Sequence, residues 1–106
     1  MFSGHDLKGQ IALVTGAGSG IGREVARTLA EEGAVLALMD IDDAGLKETA
    51  NLIQSANGSS EIYRADVSNL NEVTRVFDQI ISKKGKLDIL VTCAAIISPT
   101  RTWDIP

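Results

Sequence analysis

The sequence has 106 residues, of which 44% are hydrophobic and 23% charged, with a net charge of −4 and a pI near 4.8. This length and mixture are typical of one globular domain, so we expect residues 1–106 to form a single domain. The acidic balance argues against nucleic acid as a partner, because phosphate backbones are bound by clustered lysine and arginine. The one basic cluster, Lys83, Lys84 and Lys86, is expected to complement the C-terminal end of a helix dipole.

Cysteine usage and the N-terminal segment indicate the compartment. The single cysteine, Cys93, excludes an intrachain disulfide and fits a reducing environment. Residues 1–10 contain neither an apolar run nor a basic amphipathic stretch, so no signal or transit peptide is predicted. No window approaches the roughly 20 apolar residues that a membrane span needs. We therefore expect a cytoplasmic protein that contacts no membrane, and the sequence predicts no metal site.

Four short apolar runs alternate along the chain with three longer segments of helical period. The runs are residues 11–14, 35–39, 62–63 and 87–91. Three of them are nearly continuous in apolar character, which predicts parallel strands buried on both faces. The alternation predicts an α/β fold, a Rossmann-like doubly wound parallel sheet that has the strand order 3-2-1-4 and is truncated after the fourth strand.

The helical segments have clear stripes and stop signals. The first has its apolar face between Ile21 and Ala30 and stops at Gly33, and the second is expected over about residues 43–55. The third stripe is formed by Leu70, Val73, Val76, Phe77, Ile80 and Ile81. The first two helices should lie on one face of the sheet and the third on the other. We expect this arrangement to leave an apolar face over the first and fourth strands uncovered, so that the isolated chain self-associates.

A glycine-rich segment, residues 15–22 (Thr-Gly-Ala-Gly-Ser-Gly-Ile-Gly), joins the first strand to the first helix. A helix N-terminus offers unpaired N–H groups and a positive dipole end to an anion. Gly16 is interpreted as the tight turn, Gly20 as the point of closest approach to a cofactor, and Gly22 as the residue that permits close packing of the helix. A glycine cluster alone also occurs in turns without a ligand, so its position between strand and helix carries the prediction of a phosphate site.

Asp40, at the end of the second predicted strand, adds a second feature. A carboxylate at this place accepts hydrogen bonds from the adenosine ribose hydroxyls of a dinucleotide. It would repel a 2′-phosphate, and neither Ser19 nor Ile41 supplies a positive charge to hold one. The cofactor is therefore predicted to be NAD(H) and not NADP(H).

The spacing G-x-x-x-G-x-G after Thr15 resembles the phosphate loop of the short-chain dehydrogenase/reductase family. Asp66-Val67 is similar to the family's adenine-binding pair after the third strand. Residues 88–91 (Asp-Ile-Leu-Val) and Ala94 resemble the family's fourth-strand motif, in which Thr92, Cys93 and Ala95 replace Asn, Asn and Gly. The resemblance covers about residues 7–98.

This resemblance implies the residues that contact the cofactor. They are Gly16, Ser19, Gly20, Ile21, Gly22, Asp40, Ile41, Asp66, Val67, Cys93 and Ala94. The Cys93 contact resembles a backbone contact, which the substitution of Asn by Cys preserves. The thiol itself is interpreted as a small buried hydrophobe, with a reactive thiol as the alternative. For Asp66, the alternative to adenine binding is a cap on the third helix.

The family's catalytic serine, asparagine and Tyr-x-x-x-Lys pair lie beyond the fourth strand, and none of them can be matched here. The only tyrosine, Tyr63, has Val67 four positions later, so no catalytic residue is assigned. The resemblance implies an NAD(H)-dependent oxidoreductase that transfers hydride between nicotinamide and an alcohol or carbonyl substrate. This chain would supply cofactor binding only and be inactive alone, and the full-length protein would be a homo-oligomer.

Two other functions remain open at this point. One is a nucleotide-binding or regulatory module that never catalyses, which only the sequence downstream of Pro106 would distinguish. The other is a methyltransferase, because Gly16, Gly18 and Gly20 also satisfy the G-x-G-x-G spacing of that class. Thr15, Gly22 and the Asp-Ile-Leu-Val strand fit the dehydrogenase pattern better.

Overall fold

The computed structural model describes residues 6–93, in which strands and helices alternate. The elements are β1 (Ile11–Thr15), α1 (Gly20–Glu31), β2 (Val35–Asp40), α2 (Asp43–Ser55), β3 (Ser59–Arg64), α3 (Leu70–Lys84) and β4 (Ile89–Thr92). The four strands form one parallel sheet in the order β3-β2-β1-β4. The predicted α/β, doubly wound architecture with strand order 3-2-1-4 is confirmed.

The strand order reverses at β1, which pairs with β2 on one side and with β4 on the other. Leu13 of β1 lies beside Ala37 of β2 and Leu90 of β4. Because all strands are parallel, their carboxyl ends meet at the same edge of the sheet. In doubly wound folds the crevice outside this edge, at the point of reversal, is the usual place for a ligand.

Helices cover the two faces of the sheet unequally. Ala12 and Val14 of β1 belong to a core formed with α1 and α2, whereas Ile11 and Leu13 belong to a second core formed with α3. This alternation follows from the two-residue period of a strand. The predicted distribution, two helices on one face and the third on the other, is therefore confirmed.

The expectation that β1 lacks cover on its second face is wrong. Ile11 and Leu13 are buried there, because they share a core with Val76 and Ile80 of α3. Exposure is concentrated at β4, where Leu90 retains 49% of its accessible surface. This exposure agrees with the expected uncovered face over the fourth strand, whereas the burial on both faces that the continuous apolar run of β4 predicted is not observed.

Two members of the predicted α3 stripe are also exposed. Leu70 retains 76% of its surface and Ile81 47%, whereas Val76 and Ile80 are buried. Both exposed residues lie at the side of the stripe, because the helix turns 100° per residue and only its centre reaches the sheet.

Strand boundaries differ most from the apolar runs at β3 and β4. β3 extends over Ser59–Arg64 although only Ile62-Tyr63 was predicted, since an edge strand with polar side chains has no continuous apolar run. β4 begins at Ile89, two residues later than predicted. Asp88 explains this start, because its carboxylate accepts a hydrogen bond from the Ile11 N–H at 2.8 Å. Within residues 6–93, no helix is long and apolar enough to cross a membrane.

Candidate functional site

A cleft of about 460 Å³ opens at the carboxyl edge of the sheet. Its lining consists of Gly16, Ser19, Gly20, Ile21, Gly22, Met39, Asp40, Ile41, Ala65, Asp66, Val67 and Cys93. All the residues predicted to contact a cofactor are therefore brought together, apart from Ala94, which lies outside the described residues. Met39 and Ala65 were missed, although each directly precedes a predicted acidic residue at a strand end.

The rim of the cleft is apolar. Ile21 is 75% exposed, Ile41 59% and Val67 44%, which is unusual for large hydrophobic side chains. Exposed apolar groups around a concave site commonly mark a surface that a ligand covers. The lining therefore combines this apolar rim with two carboxylates, those of Asp40 and Asp66.

The N-terminus of α1 forms one wall of the cleft. Ser19 occupies the cap position, but its side chain makes no capping hydrogen bond to the described residues. By contrast, the side chains of Asp42 and Asn69 cap α2 and α3. The first turn of α1 also contains no acidic residue. The first helical hydrogen bond is donated by the Arg23 N–H to the Ser19 carbonyl, so the N–H groups of residues 20–22 precede the bonded turns. This helix start can receive an anion.

Three glycines shape this wall of the cleft. Gly16 (φ 71°) and Gly20 (φ 55°) have left-handed backbones. A Cβ at Gly20 would have no heavy atom of the described residues within 4 Å, so the position faces open space. A Cβ at Gly22 would collide with the backbone carbonyl of Gly16, so close packing of α1 against the loop requires glycine.

Asp40 is held by the backbone at the end of β2. Its Oδ2 accepts a hydrogen bond from the Gly18 N–H at 2.8 Å, and its Oδ1 accepts one from the Asp42 N–H at 3.1 Å. A Cβ at Gly18 would lie 2.8 Å from Asp40 Oδ2, so Gly18 permits this contact. Sequence reasoning assigned Gly18 no role, because it occupies a variable position of the G-x-x-x-G-x-G spacing.

Two further residues support the loop from the side of α2. Arg23 Nη2 donates to the Gly18 carbonyl at 2.6 Å, and the Thr49 hydroxyl donates to the Ala17 carbonyl at 2.7 Å. Thr49 is completely buried. Both residues were missed, and a buried threonine within an otherwise apolar helix stripe was the one available signal.

Asp66 lies across the cleft, after β3. The Ser68 hydroxyl at 2.7 Å, and next its backbone N–H at 2.9 Å, hold the pKa of this carboxyl below its usual range. Both bonds reach Oδ1, which leaves Oδ2 to accept from another donor. The alternative role as a cap of α3 is wrong, because Asn69 accepts from the Glu72 N–H at 3.2 Å.

Cys93 closes the cleft beside β1. Its N–H donates to the carbonyl oxygen of Thr15 at 3.1 Å and to the Thr15 hydroxyl at 3.2 Å. The backbone at this position is therefore fixed without the family's asparagine side chain. The thiol is free and half-buried.

A larger and more open hollow, of about 880 Å³, lies between β3 and α3. It is lined mainly by polar side chains of α3 and contains no glycine-rich loop. Tyr63 borders it, and burial, followed by the bond to Glu61, raises the pKa of this tyrosine to about 12. Neutral at ordinary pH, Tyr63 offers no base. Within residues 6–93, no three metal-ligating side chains form a cluster.

Comparison with known proteins agrees with this geometry. The family model for short chain dehydrogenase matches residues 10–105. The chain belongs to the short-chain dehydrogenase family. This membership favours the dehydrogenase interpretation of the glycine spacing over the methyltransferase one.

Relatives within the family are considerably longer. The 7alpha-hydroxysteroid dehydrogenase of Escherichia coli is 37% identical over 108 aligned positions, which span all of this chain and 42% of the relative. The solved complex of a 7 alpha-hydroxysteroid dehydrogenase with NADH and 7-oxo glycochenodeoxycholic acid is 38% identical. It has a TM-score of 0.77 over 85% of this chain and 36% of that chain.

A second solved structure carries the other nicotinamide cofactor. A metagenomic short-chain oxidoreductase in complex with NADP is 32% identical, with a TM-score of 0.77 over 83% of this chain and 39% of that chain. Our chain thus spans about two fifths of the length of each of these three proteins. Family membership leaves the choice between NAD(H) and NADP(H) to the residues of the cleft.

Proposed function

We propose that residues 1–106 are the cofactor-binding N-terminal portion of a longer, single-domain, NAD(H)-dependent oxidoreductase. The bound nicotinamide exchanges a hydride with an alcohol or carbonyl substrate. The observation that carries the proposal is the cleft itself, in which Asp40 and the uncapped start of α1 face the same space.

The start of α1 would bind the pyrophosphate. The N–H groups of residues 20–22 and the positive end of the helix dipole attract an anion, and no acidic side chain in the first turn opposes it. The open space at the Gly20 Cβ position lets a phosphate approach the backbone closely. Gly16, Ser19, Ile21 and Gly22 complete this part of the site.

Asp40 would select NAD(H). Each of its oxygens accepts one backbone hydrogen bond and retains lone-pair capacity for a ribose hydroxyl. A 2′-phosphate would meet this carboxylate, while the neighbouring Ser19 and Ile41 carry no charge that could offset the repulsion. Because relatives exist with either cofactor, this residue-level argument supports the choice of NAD(H).

The adenine would lie between the apolar rim and Asp66. Val67 and Ile41 provide exposed apolar surface, and Oδ2 of Asp66 can accept from an exocyclic amine. Cys93, which directly follows β4, would contact the cofactor through its backbone, and Ala94 is assigned as a further contact. The contacts of Asp66, Val67, Cys93 and Ala94 are assigned by analogy with the family's motif positions.

No residue of this chain is proposed to catalyse. The acid–base groups of the reaction would come from a part of the protein beyond Pro106, and the whole enzyme is proposed to be a cytoplasmic homo-oligomer. Finding a Tyr-x-x-x-Lys pair in the open reading frame downstream would support this assignment. An open reading frame without one would favour the nucleotide-binding module.

Titration with NADH tests the proposal on the chain itself. Binding should enhance NADH fluorescence, and Gly20→Ala should weaken it about tenfold or more, because the methyl group would occupy the place of the pyrophosphate. Gly85→Ala is the matched control. Gly85 also has a left-handed backbone (φ 82°) and open space at its Cβ position, but it ends α3 far along the chain from the loop.

Equal loss of NADH binding in both variants would mean that backbone strain, and not occupancy of the cleft, explains the effect. Unchanged binding in Gly20→Ala would overturn the assignment of the loop. Turnover of alcohols by the 106-residue chain alone would contradict the restriction to cofactor binding.

A further inference from the structure

We infer that Arg23 and Thr49 are positioning residues that set the preference for NAD(H) by holding the Ala17–Gly18 peptide against Asp40. The inference rests on the proposed function, because it concerns the ribose-binding carboxylate of that site. Neither Arg23 nor Thr49 is among the described residues that line the cleft. Both would therefore act through Asp40 and not by touching the cofactor.

The Ala17–Gly18 peptide is bound at both ends. Its N–H donates to Asp40 Oδ2 at 2.8 Å, and its carbonyl accepts from the Thr49 hydroxyl at 2.7 Å. A rotated peptide would turn the carbonyl toward the carboxylate, which is repulsive, and would leave the buried hydroxyl only the more distant Gly45 carbonyl, at 3.1 Å, as an acceptor. The bond from Thr49 thus selects the orientation in which the N–H faces Asp40.

Arg23 determines how the Thr49 hydroxyl is used. A guanidinium can only donate, and Arg23 Nε lies 2.8 Å from Thr49 Oγ1. The hydroxyl must accept this bond, so its single proton is free for a carbonyl, and Ala17 is nearer at 2.7 Å than Gly45 at 3.1 Å. The relay from Arg23 through Thr49 to the peptide therefore has one consistent direction.

The same guanidinium fixes the next peptide of the loop. Its Nη2 donates to the Gly18 carbonyl at 2.6 Å, with Gly45 O at 3.3 Å and Glu48 Oε1 at 3.5 Å as further partners. Gly18 is consequently held on its N–H side by Asp40 and on its carbonyl side by Arg23. These contacts also keep the positive charge of Arg23 engaged with α2, where it is not available to a 2′-phosphate in the cleft.

A preference ratio separates positioning from general stability. The variants are Thr49→Val, which removes the hydroxyl at nearly constant shape, Thr49→Ser, which keeps it, and Arg23→Met. The measured quantity is the ratio of Kd for NADPH to Kd for NADH, from fluorescence titrations. A merely structural role would weaken both cofactors alike and leave the ratio unchanged.

We expect Thr49→Val and Arg23→Met each to lower this ratio by about tenfold, the size of losing one hydrogen bond to a charged group. Thr49→Ser, which keeps the hydroxyl, should retain the wild-type ratio of the two Kd values. In an Asp40→Ala background, Thr49→Val should change the ratio by less than about twofold, because residues that act through one another are not additive.

The outcomes distinguish this inference from the function on which it rests. A wild-type chain that prefers NADH, with Thr49→Val and Arg23→Met retaining its ratio, would overturn the inference alone. The inference alone would also be overturned if Thr49→Val lowered the Kd ratio as much in the Asp40→Ala background as in the wild type. A wild-type chain that binds neither cofactor would overturn both. If Thr49→Val does not fold, Arg23→Met alone decides between these results.

Discussion

Gly22 lies so close to the carbonyl of Gly16 that a Cβ at position 22 would collide with backbone. Replacing glycine by alanine inside a helix ordinarily stabilises it by about 1 kcal/mol. For Gly22→Ala we expect the opposite sign, a loss of about 1–3 kcal/mol, because a backbone carbonyl cannot rotate away. Urea unfolding measures this change.

The matched comparison for Gly22→Ala is Gly45→Ala, in the first turns of α2. A Cβ there would collide with the Gly18 carbonyl and the Asp42 carboxylate, so it tests the other side of the same loop. Both variants should lose stability. An increase in the urea midpoint of Gly22→Ala would show that α1 can move away from the loop at little cost.

Asp40→Ser should narrow the preference for NADH over NADPH, because it removes the charge that repels a 2′-phosphate and the acceptor for the ribose hydroxyls. Affinities for both cofactors, measured at one ionic strength, give the result. Asp42→Ser is the control, since serine retains the cap of α2 and the variant removes the same charge two residues away. Tighter NADPH than NADH binding by the wild type would refute the assignment of Asp40.

Tyr63 should titrate with a pKa of about 12, because it is partly buried and donates to Glu61 Oε1 at 3.0 Å. As the only tyrosine, it can be followed by absorbance near 295 nm. Glu61→Gln should lower the midpoint while leaving it above 10, since burial, the larger cause, remains. A wild-type midpoint near 10 would place Tyr63 in free solvent.

Asp88 should make the stability of the chain depend on pH in the acid range. The backbone N–H of Ile11, and next the ammonium of Lys86, hold the pKa of this carboxyl below its usual value. A lowered folded pKa contributes stability above the unfolded pKa of about 4, and this contribution disappears as pH falls through the folded pKa.

Asp88→Asn should therefore be less stable than the wild type near pH 7, and the two should converge as the pH is lowered below about 4. Thermal unfolding at a series of pH values tests this. A difference that stays constant well below pH 4 would mean that the charge of Asp88 does not account for it.

Local periodicity and spacing in the sequence were enough to predict the order of strands and helices. They also predicted most of the residues that meet at the cleft. Gly20, in the loop that follows β1, and Asp40, at the end of β2, could be inferred from the predicted strand ends, because parallel strands bring such ends together. Arg23 and Thr49 could not be found in this way. Their contact depends on how α1 packs against α2, which is a tertiary relation with no fixed distance along the chain.

The errors at the sheet edges have a similar origin. Apolar runs identify strands that are buried on both faces, so the polar strand β3 was predicted too short. Leu90 belongs to an apolar run but is half-exposed, because burial depends on what lies over β4 and not on the run itself.

The helix α1, whose first turn lacks a side-chain cap among the described residues, has a thermodynamic consequence. An anion that binds there completes the helix in place of a cap, so it binds the folded chain and has no equivalent site on the unfolded one. The unfolding temperature then rises with ligand concentration. The free energy of unfolding increases by about 2.7 kcal/mol when the free ligand is at a hundred times its Kd. Amide protons of residues 20–22 should exchange slowly only in the liganded state, so that this helix reports occupancy through its own stability.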